Sequence, residues 1–183
     1  MPASSGNSLL DALKLSTDVL RKEGVSYVLI GAWALSVWGR PRATLDLDFL
    51  VLVNEAGLDR LGSRMVRAGI MVDQEWLNEN PMLRGSQLRL RFKGVAVDLL
   101  RPRDPHDRQL LRRKRRKRLT GGFYWVVAPE DFILQKLKVG RPRDFEDALS
   151  VLERSGRNLD RAYLRRWARR LGIASELDYS LSL

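Results

Sequence analysis

The sequence contains no cysteine, so disulfides and thiolate-held metals are both excluded. Its single histidine, His106, rules out a histidine-rich zinc centre. No uninterrupted apolar run approaches the roughly 18–20 residues that a membrane-spanning helix requires. The opening segment MPASSGNSLLDALKLSTDVL lacks the basic start and apolar stretch of a signal peptide, so a cytoplasmic protein is expected. Acidic residues are scarce relative to basic ones: 22 Asp and Glu stand against 33 Lys and Arg, leaving a net charge of +11. That surplus says nothing about fold, but it favours polyanionic partners such as nucleic acid, nucleotides or an acidic protein. Arginine dominates it, concentrated in RQLLRRKRRKRL and RAYLRRWARRLG. The planar guanidinium fork suits phosphate recognition.

What is present suits a globular chain. A hydrophobic fraction of 44% is too high for disorder, and 183 residues fit one medium domain or a catalytic core with a helical appendage. SLLDALKLSTDVLRKEG has leucines at helical spacing and ends at Gly24. SYVLI is a short β-prone run, AWALSVWG a compact helix, and LDLDFLVLV a strand followed by a helix through about Glu55–Arg67. SQLRLRFKG and VAVDLLRP predict a hairpin turning at Lys93–Gly94, and GFYWVVA predicts a further strand. The segment DQEWLNENPML shows no period and is expected to be a loop. From Pro129 the pattern turns helical through PEDFILQKLKVG, DFEDALSVLERSG and LDRAYLRRWARRLG. The expected organisation is an α/β part over residues 1–127 and a helical part over 128–183.

Two carboxylates interrupt the apolar strand LDLDFLVLV. On a strand, residues i and i+2 share a face, so Asp46 and Asp48 project side by side. Neighbouring carboxylates repel unless a cation sits between them, and hard oxygen donors select Mg²⁺ or Mn²⁺ with phosphates completing the shell. Solvation of a strand end, or pairing with Arg40 and Arg42, is the plainer alternative. Gly31 stands where the strand before it meets a helix, a place where backbone N–H groups can approach a phosphate. Asp98 in VAVDLL is a third acid in an apolar strand, placed to supply the third metal-holding carboxylate of a two-metal phosphoryl-transfer site if the strands are neighbours.

Gly31, Arg42-Ala43-Thr44, Asp46-Leu47-Asp48 and the later Asp98 together resemble the nucleotidyltransferase superfamily, whose best-known member is DNA polymerase β. The spacing is most similar to a small bacterial branch that includes the AbiE-type toxin nucleotidyltransferases. APEDFILQKLKVGRPRDFEDALSVL resembles that branch's later segment. The resemblance spans roughly residues 25–155. It implies a mixed α/β sheet with flanking helices and a small C-terminal helical part. It also implies transfer of a nucleoside monophosphate from an NTP to a hydroxyl, with Mg²⁺ or Mn²⁺ as cofactor.

Residue by residue, the resemblance makes Gly31 the triphosphate-contacting glycine and Asp46 and Asp48 the metal pair. Asp98 becomes the third carboxylate, which helps activate the acceptor hydroxyl. Arg42 and Thr44 fall in the nucleotide-binding set, and Lys136 becomes a phosphate-holding lysine. Asp144 and Asp147 match later acids of less definite role. Ala32 departs from the pattern, because Gly or Ser usually follows the glycine and a serine hydroxyl is therefore missing. Lys136 lies off the apolar stripe of Ile133, Leu134 and Leu137, so its removal is expected to leave stability unchanged.

The run Arg108–Leu119 is expected to be exposed beside the cleft, where Arg112, Arg113, Arg115 and Arg116 would track the phosphates of an RNA acceptor, tRNA first. A protein acceptor is the alternative substrate, and an acidic antitoxin the alternative occupant of the run. Trp33 follows the glycine and could line the nucleotide pocket. His106, in the charged RPRDPHDR, is expected to be exposed. A non-catalytic nucleic-acid-binding module retaining the fold is the competing function, although the three retained acids oppose it. An antibiotic-modifying transferase on the same scaffold is a third, disfavoured by the arginine surplus.

Overall fold

The computed structural model describes residues 5–183. Its centre is a seven-stranded mixed sheet. In chain order the strands are β1 (Tyr27–Leu29), β2 (Asp46–Val51), β3 (Met71–Val72), β4 (Gln87–Phe92), β5 (Val95–Leu100), β6 (Arg115–Leu119) and β7 (Gly122–Val126). In space they run β3-β4-β5-β2-β1-β7-β6. The pairs β2/β5 and β1/β7 are parallel, and the other neighbours are antiparallel.

The flanking helices are α1 (Ser5–Lys22), α2 (Gly31–Trp38), α3 (Glu55–Arg67), α4 (Gln74–Glu79), α5 (Pro105–Arg113), α6 (Pro129–Val139), α7 (Pro142–Ser155), α8 (Arg161–Leu171) and α9 (Ala174–Ser182). None of the described helices is long and apolar enough to cross a membrane. One apolar cluster runs from Leu13 of α1 through Leu47, Phe49 and Val97 of the sheet to Phe132 of α6 and Trp167 of α8.

Local chemistry sets the boundaries. Asn54, Asp73, Asp104 and Asp160 each cap a helix by accepting from a backbone N–H three residues on, at 2.8–3.1 Å. Prolines open α5, α6 and α7, where the missing N–H costs nothing. The β4–β5 hairpin turns at Lys93–Gly94 as expected, and both residues have positive φ, the backbone of a two-residue turn.

The structure departs from the sequence reading in three places. DQEWLNENPML is not a loop: it holds α4 and a 3₁₀ turn, started by the Asp73 cap. RPRDPHDR opens α5, capped by Asp104, and His106 is fully buried rather than exposed, one turn ahead of the buried Leu110. RRKRL forms the edge strand β6, joined to β7 by a turn at Thr120–Gly121. The common reason is that a solvent-facing charged element carries little apolar period, so caps and pairing partners decide it.

Candidate active site

Parallel pairing of β2 with β5 sets Asp48 directly opposite Asp98, with Asp46 opposite Ala96. The three acids therefore gather on one end of the central strands, while Leu47 and Phe49 fill the core on the other face. Asp46 is exposed, Asp48 half-buried and Asp98 buried. Burial pushes the Asp48 carboxyl up to about 6, the charges of Asp98 and Asp46 add to this, and Lys136 and Arg89 oppose it. Such a carboxylate is one that a nearby cation would relieve.

Gly31 sits against Asp48. Its φ is +64°, and a Cβ there would overlap Asp48 Oδ2 and lie 3.0 Å from Cγ. Glycine is required on both counts. Gly31 opens α2, and Ile30 before it supplies no side-chain cap, so the first-turn N–H groups are left for another acceptor. Ala32 is buried in that turn.

Two further layers of charge converge here. Asp98 is held by Arg89, whose Nε donates to Oδ1 at 2.9 Å and whose Nη2 donates to Oδ2 at 2.6 Å, with Gln87 Nε2 donating at 3.3 Å. Arg89 lies over the Trp76 ring, 4.9 Å from its centre. From the helical side, Lys136 Nζ lies 2.7 Å from Asp144 and 2.8 Å from Asp147. Arg42 donates to both oxygens of Asp147 at 3.2 Å, and Arg141 Nε donates to Asp144 at 2.7 Å. Burial works against ionisation of Asp144, but the bonds from Lys136 and Arg141 prevail and hold it below the ordinary range. Asp144 and Asp147 thus position cations. Lys136 is buried rather than solvated, which overturns the expectation that stability would be indifferent to it.

These groups border a cleft of about 510 Å³, within the ordinary range for a ligand site. Gly31, Ala32, Arg42, Thr44, Asp46, Asp48, Asp98, Lys136 and Asp144 all line it; Asp147 stands behind as the partner of Lys136 and Arg42. Thr44 Oγ1 accepts from the Asp46 N–H at 3.2 Å and so fixes the start of β2. Trp33 lines an adjoining groove of about 390 Å³ that shares Ala32, Arg42 and Thr44 with the cleft. Its Nε1 is buried without a hydrogen-bond partner.

Two charged lining residues went unnoticed in the sequence, Arg89 and Arg143, whereas Arg141 belongs to the GRPRDFED stretch already matched to the later family segment. Arg89 was findable, because a two-residue turn at Lys93–Gly94 places residue 89 opposite residue 98. Arg143 carried no comparable signal.

The arginine run is not where it was expected. None of Arg112, Arg113, Arg115 and Arg116 lines the cleft. The run divides between the end of α5 and β6, and β6 is separated from β2 by β7 and β1, about 14 Å across the sheet. Arg113 turns inward, donating to Asp131 and Glu130 at 3.0 Å each. Arg112, Arg115 and Arg116 remain exposed.

Asp46 and Asp48 have the donor chemistry for Mg²⁺ or Mn²⁺, hard oxygens with room left for phosphate. Among the described residues no group of three acidic or histidine side chains is gathered as a ready ligand set. Asp98 has both oxygens engaged by Arg89, so as the side chains stand the strand pair alone fits the ion.

No protein-family model matches the chain, and no curated protein matches it in sequence. Solved structures do match in fold. An antibiotic-resistance factor, ANT(2'')-Ia, aligns with a TM-score of 0.61 at 10% identity, covering 92% of this chain and 96% of that one. An antigenic nucleotidyltransferase-like protein from Paracoccidioides brasiliensis gives 0.57 at 15% identity, over 96% and 93%. A lincosamide antibiotic adenylyltransferase with lincomycin bound gives 0.54 at 12% identity, over 77% and 94%. The chain has the nucleotidyltransferase fold.

Proposed function

We propose that this chain is a Mg²⁺- or Mn²⁺-dependent nucleotidyltransferase that moves a nucleoside monophosphate from an NTP to a hydroxyl acceptor. The observation that carries it is the Asp46–Asp48 pair set beside Gly31 at the uncapped start of α2. Metal-binding carboxylates and phosphate-binding N–H groups meet there, on a fold that adenylyltransferases share.

The α2 N–H groups would receive triphosphate oxygens, and the missing cap leaves them free to do so. Asp46 and Asp48 would hold the divalent ion, which when bound neutralises charge on the phosphates and the attacking oxygen. Lys136 and Arg42, fixed by Asp144 and Asp147, supply positive charge from the helical side. Arg89 and Gln87 orient Asp98, which takes the proton of the acceptor hydroxyl. The hydroxyl oxygen then bonds to the α-phosphorus as the bond to pyrophosphate breaks. Positioning and fixed electrostatics would provide most of the acceleration.

RNA is the acceptor we favour, with tRNA first and protein second. The chain's net charge of +11 disfavours a cationic acceptor and suits a polyanionic one. The AbiE-like sequence pattern extends the proposal to a toxin, restrained by an antitoxin. The test is incubation with each α-labelled NTP, Mg²⁺ and total RNA or cell protein. Label entering one pool with release of pyrophosphate is expected, with loss in Asp48→Asn. Absence of label from every pool would leave the competing reading, a nucleic-acid-binding module that keeps Asp98 locked to Arg89. Growth arrest on expression, relieved in the same variant, would support the toxin role.

A further inference from the structure

The β6–β7 hairpin carries a surface that the cleft does not use. Its register pairs Arg116 with Trp125 and Arg118 with Phe123, so these four side chains share one face. That face is open: Phe123 is 58% and Trp125 38% exposed, and Arg116 and Arg118 are exposed beside them. Arg116 lies over the Phe123 ring at 4.8 Å, and Lys114 over Trp125 at 5.1 Å. Among the described residues no carboxylate pairs with Arg112, Arg115, Arg116 or Arg118. The opposite face is spent, since Tyr124 and Val126 are buried in the core.

Protection of an edge strand accounts for charge on β6, because lysines and arginines discourage strand addition. It does not account for two large aromatic rings left open among them. Aromatic faces on a sheet, flanked by unpaired guanidinium groups, are the chemistry that binds unpaired bases and their phosphates together. An acidic peptide would satisfy the arginines and leave the rings unused.

We propose that the Arg116–Arg118–Phe123–Trp125 face binds single-stranded RNA by stacking bases on the two rings and pairing phosphates with the arginines. RNA is the form in which unpaired bases are ordinarily displayed, in loops and ends. The proposal concerns binding and does not depend on the RNA being the acceptor.

The test uses the full chain and a labelled unstructured 12-nucleotide RNA, followed by fluorescence anisotropy across a salt series. Phe123→Ala with Trp125→Ala should weaken binding by about tenfold or more with an unchanged salt slope. Arg116→Gln with Arg118→Gln should reduce the slope by about 1.4, two single-strand phosphates' worth. Phe123→Tyr with Trp125→Phe, which keeps the rings, should bind as wild type and guards against a folding artefact. Binding is read without NTP or Mg²⁺, so failure of the catalytic reading leaves this one standing. Wild-type affinity in the alanine pair would overturn the proposal. So would equal affinity for DNA of the same sequence, or binding of a polyglutamate peptide in place of RNA.

Discussion

Gly31 and Asp48 touch so closely that no side chain fits between them: a Cβ on Gly31 would overlap the carboxylate proposed to hold the metal with Asp46. The left-handed φ of +64° at Gly31 compounds this, because an L side chain is strained there even in open space. The backbone turn that opens α2 and the carboxylate on β2 are therefore one unit.

Gly31→Ala should be destabilised by about 2 kcal/mol or more, from strain and overlap together, and should lose nucleotidyl transfer. Adding Asp48→Ala should recover part of the stability by removing the overlapped atoms. Chemical denaturation of both singles and the double checks this. Strict additivity would contradict the contact.

Asp48→Asn should change stability with pH in a defined direction. The carboxyl titrates at 3.8 in its ordinary state and at about 6 in the folded chain, so folding binds the proton more tightly. The contribution of Asp48 is then fully present below 3.8, falls as pH rises through this window and is lost above about 6. Thermal midpoints of variant and wild type should nearly coincide around pH 4 and separate at neutral pH, with the variant higher. Mg²⁺ should raise the wild-type midpoint at neutral pH and do so far less in the variant. A gap independent of pH would refute the assignment.

Lys136→Ala should unfold more easily as well as lose nucleotide use. It leaves Asp144 with Arg141 and Asp147 with Arg42 but without the cation between them, a loss of about 1–3 kcal/mol. Lys136→Arg, which keeps the charge, should recover much of this stability. A wild-type midpoint in the alanine variant would return Lys136 to a solvated role.

Arg89→Gln should release Asp98 from its two-oxygen clamp and make it available to the ion. Less Mg²⁺ should then reach half-maximal stabilisation, while transfer to acceptor slows because Asp98 is no longer oriented. Midpoints measured across a Mg²⁺ series read the first effect and initial rates the second. An unchanged Mg²⁺ dependence would show that Asp98 stays clear of the metal.

Much of the candidate site was legible in one dimension. Asp46 and Asp48 share a face because a strand has a period of two, and the turn at Lys93–Gly94 alone sets Arg89 against Asp98. A leading proline at α6 and closing glycines at α6 and α8 likewise marked helices where they are found. Tertiary structure decided the rest. Parallel pairing of β2 with β5 brings Asp98 to Asp48 across 50 residues of chain, and no local pattern encodes which strands become neighbours.

The same holds for charges whose role depends on what folds over them. Lys136 is indistinguishable from a surface lysine until α7 brings Asp144 and Asp147 over it. His106, set in a charged segment, is buried because α5 turns it against Asp131 and Trp167. Arg113 follows it inward onto Asp131, while Arg116, three residues on, stays in solvent on the edge strand. A charged side chain has no burial preference of its own strong enough to read in sequence. Its place is fixed by whether the fold supplies a compensating partner, since burial without one is too costly to persist.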